Sequence, residues 1–172
     1  MTCRILLADD HKIVRDGLKA LIGKEAGMEV VAEADTGRKA LQLSRKTNPD
    51  VVIMDVSMPE LNGIDATKQI LHDVPQVKVV ALSMHSQRQF VEGMLNAGVS
   101  GYLLKDSAFE ELIDAVRTVM TGRLYLSPDI TGVVVSDYLR YRQARDDQPL
   151  GNLTLRCLED MTAFDHRQSG DS

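Results

Sequence analysis

The sequence predicts an α/β protein, a doubly wound sandwich with one parallel five-stranded sheet. Short β-branched runs alternate strictly with amphipathic stretches, which is typical of βα units with parallel strands. The runs 51–54 and 77–82 are almost wholly apolar, as expected for strands that helices cover on both faces. The chain has 172 residues, 44% of them apolar, which supplies one core with an appendage but leaves little for a second full domain.

Five strands are predicted, at residues 4–8, 28–34, 51–54, 77–82 and 101–104. An apolar stripe at helical spacing over residues 13–22 predicts the first helix. Capping and turn residues predict four more, over 38–46, 64–72, 87–96 and 108–121. The expected strand order, 2-1-3-4-5, is that of the flavodoxin-like class and does not follow from the spacing.

Composition argues against several classes of protein. A net charge of −5 provides no overall basic field for nucleic acid or anionic membrane. Cys3 and Cys157 fit neither a disulfide framework nor a zinc site, which favours a reducing compartment. With no apolar run long enough to span a bilayer and no leader pattern, we expect a cytoplasmic protein without a membrane partner.

Polar residues follow four of the five predicted strands directly. They are Asp9 and Asp10, Asp55, Ser83, and Lys105. Because parallel strand ends meet at one edge of the sheet, these side chains should lie together. Three carboxylates there would raise one another's pKa unless a cation neutralised them, and oxygen ligands favour Mg²⁺. Asp55 could then accept a phosphoryl group as an acyl phosphate, with Lys105 and Ser83 stabilising its oxygens.

Each of these features has a simpler interpretation when it is taken alone. An Asp-Asp pair most often caps a helix, and a single Lys or Ser after a strand usually has no function. The joint pattern, with one group at the edge of each strand, favours a functional site.

Four segments closely resemble the receiver domains of two-component response regulators, over about residues 1–122. They are ILLADDH (5–11), VIMDVSMPELNG (52–63), ALS (81–83) and GYLLKD (101–106). These motifs are similar to those of the NarL/LuxR-type subfamily. The resemblance implies that Asp55 is the phosphorylation site and that Asp9, Asp10 and the Ser57 backbone carbonyl bind the metal with it. It also makes Ser83 and Lys105 the phosphoryl-sensing pair and Tyr102 the switch aromatic. Three flanking residues could tune hydrolysis of the acyl phosphate, namely Val56, Met84 and His85, although His85 could equally be solvent-facing.

The resemblance further implies a phosphorylation-dependent switch rather than a turnover enzyme, with Mg²⁺ as cofactor and a sensor histidine kinase as partner. Phosphorylation would change the face built from residues 87–96, 101–104 and 108–121. A homodimer through that face or through the C-terminal helix is an alternative that the sequence leaves open. Many receivers have proline after the lysine, whereas this chain has Asp106, so the sequence does not decide whether the Lys105–Asp106 peptide is cis or trans.

The C-terminal part divides into a linker with an amphipathic helix, residues 123–145, and a segment at 146–172. We expect the latter to be a disordered tail or the remnant of a helix-turn-helix effector, because a complete effector needs about 60 residues in the resembling subfamily. Autonomous DNA binding is therefore not expected, although a NarL/LuxR-type transcriptional regulator with an incomplete effector is the main alternative function.

Two other functions fit parts of the pattern. A phosphohydrolase of the haloacid dehalogenase type also uses an Asp nucleophile with Lys and Mg²⁺, but it needs a second acid where this chain has Ser57. A flavodoxin-like FMN carrier shares the fold class, but Asp9 and Asp10 would repel its phosphate.

Overall fold

The computed structural model describes residues 1–144, which form one parallel sheet with helices on both faces. The strands are β1 (Cys3–Ala8), β2 (Met28–Ala34), β3 (Val51–Asp55), β4 (Lys78–Ser83), β5 (Gly101–Leu104) and β6 (Tyr125–Leu126). The helices are α1 (Lys12–Gly23), α2 (Gly37–Thr47), α3 (Gly63–Asp73), α4 (Arg88–Ala97), α5 (Ala108–Met120) and α6 (Pro128–Ala144). The predicted doubly wound fold and its C-terminal helix are confirmed.

The sheet order is β2-β1-β3-β4-β5-β6, which is the predicted order with one strand added. Tyr125 and Leu126, predicted to lie in a linker, pair parallel with Gly101 and Tyr102 of β5. The prediction of only five strands was therefore wrong. Two residues are too few to show the alternation that marks a strand, and the pairing depends on an open sheet edge beside β5.

The core has two parts because successive strand residues face opposite sides of the sheet. In β3, Val52 and Met54 belong to one hydrophobic cluster, and Val51 and Ile53 belong to the other. The first cluster packs under α2, α3, α4 and α6, and the second packs under α1 and α5. This layering leaves the carboxyl ends of the strands at the surface of the molecule.

Some apolar residues of the helices are exposed, although helical spacing of apolar residues predicts a buried face. Ile13 was included in the apolar stripe of α1, but its side chain is 87% exposed, and Phe109 of α5 is 48% exposed. In α6 only Ile130 and Val134 are buried, while Tyr141 is exposed. Spacing identifies a helix face but not where that face passes beyond the sheet, and both Ile13 and Phe109 lie in the first turn of their helices.

The helix boundaries follow local chemistry. Thr36 and Asn62 cap α2 and α3, accepting hydrogen bonds from the backbone N–H groups of Lys39 and Asp65. The helix predicted over residues 87–96 has Gln87 as its N-cap residue. Every peptide bond within residues 1–144 is trans, including the Lys105–Asp106 bond. Within the same residues, we find no helix that combines the length and the apolar character needed to cross a bilayer. The predictions for residues 146–172 fall outside the described residues.

Candidate functional site

The ends of β1, β3 and β5 bring two carboxylates and an ammonium group together. Lys105 Nζ lies 2.9 Å from Asp9 Oδ2 and 3.1 Å from Asp55 Oδ2. Asp9 and Asp55 are each only 2% exposed, although they come from strands 46 residues apart in sequence. Burial of two carboxylates beside one lysine leaves an excess of negative charge at this edge of the sheet.

The loop after β1 adds two further ligand-bearing side chains. Asp10 is exposed, and its Oδ1 lies 3.1 Å from His11 Nδ1, which in turn lies 3.0 Å from Asp9 Oδ1. One donor atom from each of four residues falls in a cluster whose atoms all lie within 4.8 Å of one another. These residues are Asp9, Asp10, His11 and Asp55.

The backbone around Asp55 is fixed on both sides. Val56 N–H donates to the Leu82 carbonyl of β4 at 3.0 Å, and Gly63 N–H donates to the Val56 carbonyl at 2.9 Å. A Cβ atom at Gly63 would lie 2.1 Å from the Asp55 carbonyl oxygen, so only glycine allows α3 to begin this close to the strand end. Ser57 N–H donates to Asp55 Oδ1 at 3.1 Å and orients the carboxylate.

A second group of contacts joins the ends of β4 and β5. The buried Ser83 hydroxyl accepts the His85 N–H at 2.9 Å, and the Tyr102 hydroxyl donates to the His85 carbonyl at 2.9 Å. Lys105 N–H donates to the Ser83 carbonyl at 2.8 Å. The backbone of His85 therefore links the Ser83 hydroxyl to the hydroxyl of the fully buried Tyr102.

The electrostatics of the site follow from burial. Burial and the neighbouring Asp9 carboxylate raise the pKa of Asp55 to about 7, although Lys105 and the Ser57 N–H oppose this shift. Burial acts to lower the pKa of Lys105, but hydrogen bonding and attraction from Asp9 and Asp55 outweigh it, so that the pKa is raised. Burial also raises the pKa of Tyr102, partly offset by the Ser83 hydroxyl.

The residues present fit a divalent cation. The Lys105 ammonium lies 2.9 Å from Asp9 Oδ2 and 3.1 Å from Asp55 Oδ2, so two buried carboxylates share one positive charge. A further cation would neutralise the negative charge that remains. The cluster offers mainly carboxylate oxygens, which are the ligands that Mg²⁺ prefers.

A family model for the response regulator receiver domain matches residues 5–117, well over half of the chain. The chain belongs to the response regulator receiver family. Among curated relatives, this receiver is 40% identical over 137 residues to transcriptional regulatory protein DegU of Brevibacillus brevis, covering 80% of the chain and 58% of DegU. It is 35% identical over 156 residues to response regulator GacA of Pseudomonas aeruginosa, covering 91% of the chain and 72% of GacA.

Solved structures agree with the receiver fold. A LuxR-family two-component response regulator from Aurantimonas sp. SI85-9A1 has a TM-score of 0.77 and 38% identity, covering 81% of this chain and 99% of that one. The receiver domain of a putative response regulator NarL from Mycobacterium tuberculosis has a TM-score of 0.67 and 32% identity, covering 71% and 98% of the two chains.

The receiver brings together most of the residues singled out in the sequence. Asp9, Asp10, Asp55 and Lys105 form one cluster, and Ser83 and Tyr102 are linked through His85. Neither Asp9 nor Asp10 is the N-cap residue of α1, which is His11, although Asp9 Oδ1 accepts the backbone N–H of His11 at 2.8 Å.

The flanking residues of the receiver differ in their environment. Val56 is buried, Met84 is 70% exposed, and the exposed His85 ring stacks on Phe90 with ring centroids 4.8 Å apart. Their predicted effect on hydrolysis and the metal-binding role of the Ser57 carbonyl stay predictions.

Sequence reasoning missed two residues of this site. His11 entered only as part of a motif, although its place directly after Asp10 was a usable signal. Arg15 was not noticed: it lies one turn into α1, and its Nη1 donates to the Asp9 carbonyl at 2.6 Å while its Nε lies 3.6 Å from Glu33 Oε1. Helical periodicity alone places Arg15 on the polar face of α1, which predicts a solvated side chain without a specific role.

Proposed function

We propose that this receiver takes a phosphoryl group onto Asp55 from a phosphohistidine of a sensor histidine kinase and thereby switches between two states. The observation that carries the proposal is the buried Asp55 carboxylate, 3.1 Å from Lys105 Nζ and grouped with Asp9 and Asp10. Membership of the receiver family supports the same assignment.

In the transfer, a carboxylate oxygen of Asp55 attacks phosphorus, the phosphorus–nitrogen bond of phosphohistidine breaks, and an acyl phosphate forms. Lys105, already paired with Asp55, stabilises the phosphoryl oxygens as charge develops on them. A divalent cation such as Mg²⁺, held by Asp9, Asp10 and Asp55, would neutralise carboxylate and phosphoryl charge. The Ser57 N–H holds the attacking carboxylate in a single orientation.

The switch follows from the contacts around Ser83. A phosphoryl group on Asp55 is roughly dianionic and attracts the Ser83 hydroxyl as a donor. That hydroxyl now accepts the His85 N–H, and the His85 carbonyl holds the Tyr102 hydroxyl. Rotation of Ser83 therefore loosens the His85 backbone and releases Tyr102. The change reaches α4, on which α6 packs, and β5, whose Tyr102 lies in the same hydrophobic cluster as Ile130 and Val134 of α6.

The decisive experiment is phosphorylation by a small-molecule donor, acetyl phosphate, in Mg²⁺, followed by intact-mass measurement. The wild type should gain one phosphoryl group, and Asp55→Asn should gain none that is stable. Asp114→Asn, which changes an exposed carboxylate on α5, should behave as the wild type. A stable phosphoryl group on Asp55→Asn would overturn the assignment of the site.

A second proposal concerns output. DegU is called a transcriptional regulatory protein, and 40% identity to it favours control of transcription. This chain spans 58% of DegU, so the output of the whole protein is a proposal rather than a finding. Comparing transcripts between cells that carry the wild type and cells that carry Asp55→Asn tests it, and identical transcript profiles under inducing conditions would contradict it.

A further inference from the structure

Ser127 joins the start of α6 to the end of β5. It is 1% exposed and directly precedes Pro128, the first residue of α6. Its backbone N–H donates to the Tyr102 carbonyl at 3.0 Å, and its hydroxyl accepts the Leu104 N–H at 3.3 Å. One residue therefore binds β5 on both sides of Leu103.

The Ser127 hydroxyl takes the place of a backbone carbonyl in the sheet. If β6 continued, the carbonyl of residue 127 would accept the Leu104 N–H in the hydrogen-bond pattern of a parallel pair. That carbonyl instead accepts the N–H groups of Ile130 and Thr131 at 2.9 and 3.0 Å, because α6 begins here. A serine before a helix ordinarily caps the helix with its hydroxyl, whereas this hydroxyl binds β5. The side chain therefore extends the pairing of β5 one residue beyond β6.

Glu111 of α5 orients this hydroxyl. The Ser127 hydroxyl donates to Glu111 Oε2 at 3.1 Å, and the Tyr125 hydroxyl donates to Glu111 Oε1 at 2.8 Å. Since a carboxylate can only accept, the Ser127 proton points to α5 and a lone pair faces the Leu104 N–H. Hydrogen bonds to an ionised acceptor are also stronger than those between neutral groups, which favours this single arrangement.

The Leu104 N–H lies one residue before the lysine of the phosphoryl site. Lys105 N–H donates to the Ser83 carbonyl of β4 at 2.8 Å, and Lys105 Nζ lies 3.1 Å from Asp55 Oδ2. Two consecutive N–H groups at the end of β5 are therefore held from two sides, one by β4 and the other by Ser127. Removing the Ser127 hydroxyl would leave the Leu104 N–H without this acceptor and loosen the outer side of the strand end.

We infer that Ser127 is a positioning residue for phosphoryl transfer to Asp55, because it fixes the backbone from which Lys105 reaches the carboxylate. The inference rests on the proposed function for its rate measurement, whereas the hold on the backbone can be tested without phosphorylation. A displacement of about 1 Å in a group that acts on the reacting atoms can slow a reaction by as much as about a hundredfold. Because α6 begins at Ser127, displacement of α6 from β5 should slow the transfer as well.

The rate test is phosphorylation of the full chain by acetyl phosphate in Mg²⁺, followed over time by intact-mass measurement at several donor concentrations. Ser127→Ala removes the hydroxyl, and Glu111→Gln removes its anionic acceptor at nearly constant size. We expect the maximal rate to fall about tenfold in Ser127→Ala and about threefold in Glu111→Gln. The donor concentration that gives half the maximal rate should change less than about twofold, because Lys105 acts on charge that develops during transfer.

Amide hydrogen exchange, followed by nuclear magnetic resonance, tests the backbone without phosphorylation. Ser127→Ala should speed exchange of the Lys105 N–H about tenfold, through local opening of the strand end. Exchange of the Leu6 N–H, in the buried strand β1, should change less, because it requires opening of the core. A role in overall stability alone would speed both amides by the same factor.

Ser136→Ala is the matched control, because it removes an exposed hydroxyl from the same helix. It should leave the maximal rate and the exchange of Lys105 unchanged. If Ser127→Ala does not fold, Glu111→Gln decides by the same two measurements.

An unchanged maximal rate, or equal acceleration of exchange at Lys105 and Leu6, would overturn the inference while leaving phosphorylation of Asp55 intact. If the wild type takes up no phosphoryl group, the proposed function fails. The exchange of Lys105 then still decides whether Ser127 holds the strand end.

Discussion

Asp55 is held at a strand end where burial and the neighbouring Asp9 carboxylate make its negative charge unfavourable. Its pKa is raised, first by burial and then by Asp9, to about 7 from an ordinary value of 3.8. A carboxyl group with a raised pKa takes up a proton on folding between these two values. Its contribution to stability therefore falls as the pH rises through this window and is least favourable above about pH 7.

Asp55→Asn should therefore stabilise the metal-free protein at alkaline pH. In the presence of a chelator at pH 8, we expect the free energy of unfolding to rise by about 1 to 3 kcal/mol, and the gain should vanish near pH 4. Urea denaturation at the two pH values measures it. Asp114→Asn should change stability by less than about 0.5 kcal/mol at either pH. An Asp55→Asn protein less stable than the wild type at pH 8 would contradict this account.

Arg15 supports the loop after β1 that carries Asp9 and Asp10. Its guanidinium donates to the Asp9 carbonyl at 2.6 Å and faces Glu33, which also pairs with Lys19 at 3.1 Å. Arg15→Lys keeps the charge but cannot reproduce the planar arrangement of donors. We expect Mg²⁺ affinity to fall about tenfold, as when other groups that orient metal ligands are changed.

Lys19→Arg is the control for Arg15, since it also keeps the charge near Glu33 but does not contact Asp9. Calorimetric titration with Mg²⁺ measures the affinity of both variants, and the affinity of Lys19→Arg should match that of the wild type. If both variants weaken binding equally, the charge around Glu33 matters and the contact to Asp9 does not.

At this scale the sequence predicted the residues that follow strands and missed those that support them. Asp55 and Lys105 could be found because a strand end is visible in sequence and parallel strands bring such ends together. Arg15 could not be found, because its role depends on how the loop after β1 folds back over the first turn of α1. The link through the His85 backbone is likewise invisible, because any residue type has the same N–H and carbonyl.

At the scale of elements, the approach of α3 to β3 is what fixes the loop that carries Asp55. Gly63→Ala would place a Cβ atom 2.1 Å from the Asp55 carbonyl oxygen and 2.8 Å from Val56 Cα, and backbone atoms cannot move aside cheaply. We expect a loss of about 3 kcal/mol in the free energy of unfolding. Acceptance of phosphate from acetyl phosphate should also slow, because the orientation of Asp55 depends on this loop.

Gly23→Ala is the matched substitution, since nothing lies within 4 Å of a Cβ atom at Gly23 in the last turn of α1. It should be neutral or stabilising by up to about 1 kcal/mol. Urea denaturation measures the free energy of unfolding of both variants. Equal changes would show that the backbone around Gly63 moves easily to accept a Cβ atom.

Every strand and helix that the structure describes, except β6, could be predicted from the sequence. Its two residues gain their hydrogen bonds from β5, and its side chains are tied to α5, where the Tyr125 hydroxyl donates to Glu111 Oε1 at 2.8 Å. Ser127 donates to the other Glu111 oxygen at 3.1 Å and accepts the Leu104 N–H at 3.3 Å. These partners are 14 or more residues away in sequence, beyond the reach of local pattern.

At the scale of the whole molecule, β6 and α6 are packed parts of the receiver core and not a separate appendage. Ile130 is fully buried and Val134 nearly so, in the same cluster as Tyr102. On the surface, Arg88 of α4 pairs with Asp137 of α6 at 2.9 Å. The residues predicted to form a linker and helix therefore pack on the sheet face that contains Tyr102, the residue proposed to act in the switch.

This packing predicts that α6 unfolds together with the sheet. Ile130→Ala removes most of a fully buried side chain and should cost about 2 to 4 kcal/mol, within one cooperative transition. Leu139→Ala, at a position that is 50% exposed on the same helix, should cost less than about 1 kcal/mol. Urea denaturation followed by circular dichroism and by near-ultraviolet absorbance of tyrosine tests both. If Ile130→Ala instead leaves the main transition in place and adds a separate early one, α6 is an independent appendage, and a change at Tyr102 has no route through it.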